Sequence, residues 1–343
     1  ETFKNIAQRM EKPTYLLNYT QNGVEESEVS ANRYFYFEIN LGSETGEIQL
    51  VEFDGILFKG TFNGVIRGGG NTISYTSNYS SAASRLSSTV TVSVGRITGL
   101  NTGENAVYNY GLSLFETLGN NAEITNLSIT PNFTSAGNIG NNIIVAGLAI
   151  ANFGDVTTVN VNGLTSNLVV YSASQGRIGA YAGLVGINNG LISSCVLEED
   201  ITLSDTQNGI TYNQYFFIGG LVYTNYSEIY SSEINANITL NITNQGNTSS
   251  TRHQIAGIAV TSTSSSTLVN NRIGVNSATS ETYRISFNAG SSNYDQVYIA
   301  GISVLSQTSN YTSNTANTGC TFASQTSGTV YIADEINPTT PRA

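Results

Sequence analysis

The sequence is poor in the residues that support several common functions. It has no tryptophan, one methionine, two cysteines, four prolines and a single histidine in 343 residues. Only 11% of the residues are charged, against about a quarter in an average soluble domain. The net charge of −11 and the presence of only three lysines argue against nucleic-acid binding, which needs clustered basic side chains. No apolar run reaches the roughly 18 residues of a membrane-spanning helix.

The two cysteines, Cys195 and Cys320, are too few for a disulfide framework. Cys195 lies in a segment of alternating apolar residues, and Cys320 follows a loop rich in Ser, Thr and Asn. We expect two separate thiols that act as small apolar residues rather than one bridge. Both states stay open, and so does the redox compartment.

The abundant residues are Asn, Ser, Thr, Gly and Tyr, together with β-branched residues. This composition is typical of short strands joined by turns. Disorder normally combines low hydrophobicity with high charge, and this chain is 39% apolar with few charges. The composition therefore predicts an all-β protein.

A repeated Gly-Leu or Gly-Ile pair organises the chain. The spacings between successive anchor glycines are 36, 36, 37, 37 and 44 residues. Each anchor precedes a polar turn and a further stretch of alternating apolar residues, as in residues 191–196 after the third anchor. The anchor glycines are Gly111, Gly147, Gly183, Gly220, Gly257 and Gly301.

This spacing predicts a parallel β-helix (solenoid) with coils of about 36 residues. Equivalent strands would pair about 4.8 Å apart, so that residues one period apart lie above one another. We expect Leu148, Leu184, Leu221 and Ile258 to form one interior column. The glycine before each of them would mark a corner at which a Cβ atom collides with its surroundings.

The motif AGLVGINNGLISSCV at residues 182–196 resembles the GLUG repeat. Upstream, FKGTFNG at 58–64 and GGGNTIS at 68–74 are similar to the segment that usually precedes such repeats. The resemblance covers roughly residues 50–305. GLUG repeats occur in bacterial surface adhesins and in the non-catalytic part of IgA-specific metallopeptidases. The resemblance implies a β-helix and an extracellular or cell-surface location, and it implies no catalytic residues.

The pattern divides the chain into three parts. Residues 1–49 form an N-terminal cap with the first strands, in which residues 2–10 place apolar side chains on one face of a short helix. Residues 50–336 form the β-helix. Residues 337–343 begin a linker or tail, which suggests that the sequence is a piece of a longer protein.

Few side chains could support catalysis. The acidic run Glu198, Glu199 and Asp200, together with Asp205, is the nearest approach to a weak calcium site, and a solvated acidic loop is the favoured explanation. We expect His253 to be an exposed turn residue. No catalytic residues, metal site or cofactor site are predicted, and a carbohydrate-active β-helix enzyme is only a second alternative.

The tyrosines offer a binding surface instead. We expect Tyr215, Tyr223, Tyr226 and Tyr230 to form a face rich in Tyr, Asn and Ser, a composition typical of adaptable binding surfaces and also of ordinary exposed strands. The predicted function is a non-enzymatic structural or adhesive module of the cell surface. Its partners would be a host or neighbouring cell, a glycan or a further copy, and the alternative is an extracellular filament subunit. N-glycans are possible at the loop sequons, which are those of Asn78, Asn247 and Asn310.

Overall fold

The computed structural model describes the larger part of the chain. The described residues are 20–21, 24–25, 38–40, 47–93, 105–170, 177–205, 214–242, 252–274, 284–289, 296–306, 310–316, 321–325 and 329–335. All regular elements in these ranges are β-strands, because β-branched and aromatic residues alternate with small polar ones. None of the described residues forms a helix that could span a membrane.

The strands are numbered in chain order. The first half comprises β1 (Thr20–Gln21), β2 (Val24–Glu25), β3 (Glu38–Asn40), β4 (Glu47–Asp54), β5 (Ile56–Phe62), β6 (Val65–Arg67), β7 (Thr72–Asn78), β8 (Arg85–Ser93), β9 (Asn105–Leu118), β10 (Glu123–Thr134), β11 (Asn138–Ile139), β12 (Ile143–Ala146), β13 (Ala149–Asn152), β14 (Asp155–Ser166), β15 (Val169–Val170), β16 (Arg177–Ala182) and β17 (Val185–Asn188). The second half comprises β18 (Leu191–Ser193), β19 (Val196–Asp205), β20 (Gln214–Gly219), β21 (Val222–Asn225), β22 (Glu228–Tyr230), β23 (Glu233–Ile234), β24 (Ile238–Ile242), β25 (Arg252–Ala256), β26 (Ala259–Ser262), β27 (Thr267–Val269), β28 (Arg272–Ile273), β29 (Arg284–Ala289), β30 (Gln296–Ser306), β31 (Asn310–Thr312), β32 (Thr315–Ala316), β33 (Thr321–Gln325) and β34 (Thr329–Glu335).

Most strands pair in parallel with the equivalent strand about one sequence period later. In the 13-stranded sheet, Ile144 pairs with Ala180, Ala180 with Phe217, and Phe217 with Gln254. These partners are 36, 37 and 37 residues apart. We call the strands of one sequence period a layer, and equivalent strands of neighbouring layers lie about 4.8 Å apart.

The predicted fold class is nevertheless wrong. The strands of the second large sheet are hydrogen-bonded into a closed barrel, not an open β-helix (solenoid) of 36-residue coils. The ring of pairings closes because β10, β14 and β19 are long enough to pair with two shorter strands in a neighbouring layer. The hairpin of β8 and β9 is antiparallel, which a plain parallel coil does not contain. A sequence period shows which strands are equivalent. It does not show that a long strand pairs with two shorter strands of the next layer.

Two other parts of the prediction lie outside the described residues. The expected N-terminal helical cap would be formed by residues 2–10, which are not described. The expected linker at residues 337–343 is likewise outside the described ranges.

The 13-stranded sheet separates two apolar clusters. Along β20, Phe216 and Ile218 belong to the main core, whereas Tyr215 and Phe217 belong to a second cluster. Because successive strand residues point to opposite faces, the second cluster lies on the outer face of this sheet. The hairpin of β8 and β9 contributes buried side chains to that cluster, Tyr108 among them. The outer face is therefore partly covered by a segment that lies far away in the sequence.

Candidate functional site

The anchor column lies in the core. The side chains of Leu148, Leu184, Leu221 and Ile258 are fully buried. The backbone N–H of Leu148 donates to the carbonyl of Leu184 at 2.8 Å, and that of Leu184 to the carbonyl of Leu221 at 3.0 Å. At Gly183, before the second leucine, an added Cβ atom would lie 2.1 Å from the carbonyl oxygen of Gly220. The same 2.1 Å approach recurs at Gly147 and Gly220, so the column needs glycine for close backbone contact.

A ladder of asparagines marks one corner of the molecule. Asn152, Asn188 and Asn225 end β13, β17 and β21, and their side chains are fully buried. The amide of Asn152 donates to Oδ1 of Asn188 at 2.9 Å, and the amide of Asn188 donates to Oδ1 of Asn225 at 2.9 Å. The next residue in register is Ser262, whose buried hydroxyl has no hydrogen-bond partner among the described side chains.

The residues that follow this ladder, and those that follow the equivalent Phe62 and Leu118, form a row at this corner, which we call the corner row. It consists of Asn63, Gly119, Phe153, Asn189 and Tyr226. Backbone hydrogen bonds of 2.7–2.8 Å connect the row to the preceding layer at Gly119, Phe153, Asn189 and Tyr226. Phe153 is 44% exposed, Asn189 is exposed and Tyr226 is half-buried. The row thus presents aromatic rings and an amide at one-layer spacing.

A cavity of about 350 Å³ opens at the start of the corner row. The turn from β9 to β10 holds four residues, Gly119 to Ala122, whereas the turns from β5 to β6 and from β13 to β14 hold two. The longer turn contains two exposed amides, those of Asn120 and Asn121. The cavity is lined by Gly119 and by the side chains of Thr61, Asn63, Thr117, Asn120, Asn121 and Phe153.

The predicted tyrosine face is split by the structure. Tyr215 and Tyr223 are buried in the outer cluster, while Tyr226 and Tyr230 are half-buried. The hydroxyl groups of Tyr223 and Tyr108 are hydrogen-bonded at 2.9 Å. Burial raises the pKa of Tyr223 above its ordinary value. Two of the four rings therefore pack inside the protein and are not presented to a ligand.

His253 lies inside the protein and not in an exposed turn. It belongs to β25, its side chain is fully buried, and its Nδ1 atom accepts a hydrogen bond from the backbone N–H of Phe216 at 3.2 Å. Its ring stacks between Phe216 and Phe287 at centroid distances of 5.6 and 5.2 Å. Burial lowers the pKa of His253 to about 3, so the ring is neutral at physiological pH.

We expect acid to destabilise the protein through His253. An unfolded chain binds a proton at this residue near pH 6.5, whereas the folded protein keeps the ring neutral down to about pH 3. Because the unfolded state binds more protons in this window, the free energy of unfolding falls as the pH falls, by up to about 1.4 kcal/mol per pH unit from this residue. Guanidinium unfolding at neutral and acidic pH measures the effect. His253→Phe keeps an aromatic ring in the stack and should lose less stability in acid; parallel pH profiles would contradict the prediction.

The remaining candidates for chemistry are buried or dispersed. Cys195 is a fully buried free thiol, and burial raises its pKa to about 12, so it is protonated at neutral pH. Glu198, Glu199 and Asp200 are exposed on β19, and Asp200 accepts hydrogen bonds from Asn237 at 2.8–3.1 Å. The side chain of Asp205 lies outside the described residues. Within the described ranges no group of three His, Cys, Asp or Glu side chains could hold a metal ion.

The sequons also differ in their surroundings. Asn78 ends β7 and is half-buried, and its amide donates to Oε1 of Glu52 at 2.6 Å. The hydroxyl of Thr134 donates to its Oδ1 atom. A glycan on Asn78 would disturb these contacts. Residue Asn247 and the side chain of Asn310 lie outside the described residues.

Sequence reasoning missed the cavity residues. The available signal was the turn after β9, which is two residues longer than its equivalents and contains two adjacent asparagines, Asn120 and Asn121.

A search of family models, of curated proteins and of solved structures found no match to this chain.

Proposed function

We propose that the chain is a non-enzymatic structural module of the cell surface that binds a surface ligand through the corner row. The tyrosine face proposed from the sequence contributes only Tyr226 to this row. The GLUG resemblance is the reason to place the module outside the cell, and that location is part of the proposal.

The observation that carries the proposal is the alignment of exposed side chains along one corner. Gly119, Phe153, Asn189 and Tyr226 occupy successive layers, so their spacing is set by backbone pairing, and the exposed Asn120 directly follows Gly119. The asparagine ladder immediately beneath them is fully buried and hydrogen-bonded. A row held in this way loses little conformational entropy when it binds a ligand, which favours affinity.

The state of the buried titratable groups supports a binding role over catalysis. A general base or nucleophile must reach its substrate and have a pKa near the working pH. His253 and Cys195 are enclosed, and burial shifts the pKa of each away from neutrality. The exposed carboxylates of β19 do not line the cavity at the turn from β9 to β10.

Adhesion of protein-coated fluorescent beads tests the proposal. Beads would be applied to cell layers and to surfaces coated with polysaccharide or matrix protein. We expect wild-type beads to adhere to at least one surface, and a variant with Asn120, Phe153 and Asn189 all changed to alanine to lose at least tenfold in retained beads. Thr202→Ala, an exposed change on β19, is the matched control and should adhere normally.

Two results would overturn the proposal. One is equal retention of wild-type and triple-variant beads, or no retention on any surface. The other is release of reducing or unsaturated sugars from polysaccharide by the purified protein, with loss of that turnover in Asp200→Asn. The second result would make the chain a carbohydrate-active enzyme.

A further inference from the structure

The cavity at the turn between β9 and β10 has the features of a ligand site. Its volume of about 350 Å³ is at the lower end of the roughly 300–1,000 Å³ range of small-molecule sites. It lies at the turn after β9, which is two residues longer than the turns of the layers on either side. The extra residues, Asn120 and Asn121, are exposed and stand at its edge.

An amide at the base of this cavity is available for a ligand. Asn63 is 6% exposed, lines the cavity and makes no side-chain hydrogen bond to the part of the chain that the structure describes. The polar atoms of this amide are not fully enclosed, so they are in contact with the solvent of the cavity. A Cβ atom at residue 119 would lie only 2.1 Å from the Oδ1 atom of Asn63. The glycine at this position therefore leaves room for the amide. A ligand that donates and accepts hydrogen bonds would satisfy this amide.

An aromatic ring also lines the cavity. Phe153 is 44% exposed, although most phenylalanines in the described residues are buried. An exposed ring offers a flat apolar surface of large area, which is favourable when it is covered. The ring faces a ligand site whose other side chains are amides and hydroxyls. The preferred ligand therefore has both a flat apolar face and several hydroxyl groups.

The charge of the lining selects among such ligands. The lining residues are threonine, asparagine, glycine and phenylalanine, without an acidic or basic side chain. Anionic ligands are normally held by Arg, Lys or a helix N-terminus, and cationic ones by carboxylates or aromatic cages. An uncharged ring with hydroxyl groups fits this lining best.

We propose that this cavity binds a neutral sugar residue of a glycan, with one face of the sugar ring on Phe153 and its hydroxyl groups on the amides of Asn63, Asn120 and Asn121. The inference rests on the proposed function and names its ligand class. Further sugar residues would extend along the corner row past Asn189 towards Tyr226.

Isothermal titration calorimetry with the full chain tests this assignment. The probes are cellohexaose, mannohexaose and the hexamer of N-acetylglucosamine, with a sulfated heparin hexasaccharide as the charged comparison. We expect at least one neutral probe to bind, and Phe153→Ala to weaken its binding at least tenfold. Val107→Ala is the matched control, because Val107 is 43% exposed but lies outside the cavity, and its affinity should stay within twofold of wild type.

Two further variants address the amides. The double change Asn120→Ala and Asn121→Ala removes exposed side chains and should weaken binding at least fivefold without lowering the unfolding midpoint. Gly119→Ala places a methyl group against Asn63 and the Thr61 methyl group and should abolish binding. If that variant does not fold, the double variant still decides the question.

The assignment is overturned if no neutral probe binds, if only the sulfated probe binds, or if Phe153→Ala binds as wild type does. Bead adhesion that depends on the corner row, found together with any of these results, would leave the proposed function standing and remove only the sugar assignment. Adhesion that is independent of the row would remove the proposed function itself.

Discussion

Leu184→Asp is expected to lower the free energy of unfolding by more than about 4 kcal/mol. Leu184 is fully buried in the anchor column between Leu148 and Leu221, and its neighbours are apolar. An aspartate there would either bury an unpaired charge or take up a proton, and both cost several kcal/mol on top of the lost apolar burial. Guanidinium unfolding followed by circular dichroism gives the midpoint and the slope.

Two companion variants separate charge from packing. Leu184→Ala removes the apolar group without adding a charge, and we expect a loss of about 2–5 kcal/mol. Thr202→Asp introduces the same carboxylate at an exposed position of β19 and should change stability by less than about 0.5 kcal/mol. Equal unfolding midpoints for Leu184→Asp and wild type would show that the column is not part of the core.

The sequence period predicts strand equivalence well and connectivity poorly. The anchor glycines identify residues that lie in successive layers, since close backbone contact at Gly183 tolerates no side chain. The closed barrel depends on strand lengths, such as that of β14, which spans both β18 and β19. A second corner places Thr158 and Ser194 at φ values of 54°. Threonine and serine seldom adopt positive φ, so these two residues carry no signal for that corner, whereas the equivalent Asn126 and Asn270, at φ values of 53° and 56°, are of a type that tolerates it.

The site was harder to predict for a different physical reason. Alternation along β20 and β21 correctly indicates that Tyr215 and Tyr223 point away from the main core. Their burial depends on the hairpin of β8 and β9, whose Tyr108 hydroxyl contacts that of Tyr223 across 115 residues of sequence. A contact of this range leaves no mark on the local pattern. The exposed aromatic residue of the cavity, Phe153, has no equivalent aromatic residue one period away in either direction, at Gly119 or Asn189.

The asparagine ladder yields the second large expected effect. Asn188 is its middle member: its amide donates to Asn225 and to the carbonyl of Glu228, and its Oδ1 atom accepts from Asn152 and from the backbone N–H of Gly190. Asn188→Ala removes all four interactions in a fully buried environment. Asn152 and Asn225 keep hydrogen bonds within their own turns, so the loss is expected to be about 2–4 kcal/mol and not the sum of four bonds.

Members of the ladder should lose similar amounts of stability. The amide of Asn152 donates to Asn188 and to the carbonyls of Gly154 and Leu191, and its Oδ1 atom accepts from the backbone N–H of Gly154. Asn152→Ala therefore removes as many interactions as Asn188→Ala and should cost about as much in guanidinium unfolding, about 2–4 kcal/mol. Ser262→Asn would supply a fourth member, because the buried hydroxyl of Ser262 has no partner among the described side chains and its residue pairs with Asn225 in register. We expect that variant to gain roughly 0.5–1.5 kcal/mol, the usual net value of one hydrogen bond. A ladder that acts cooperatively also predicts that the loss caused by Asn188→Ala is larger in the Ser262→Asn background than in wild type. Identical losses in the two backgrounds would show that each asparagine stabilises only its own turn.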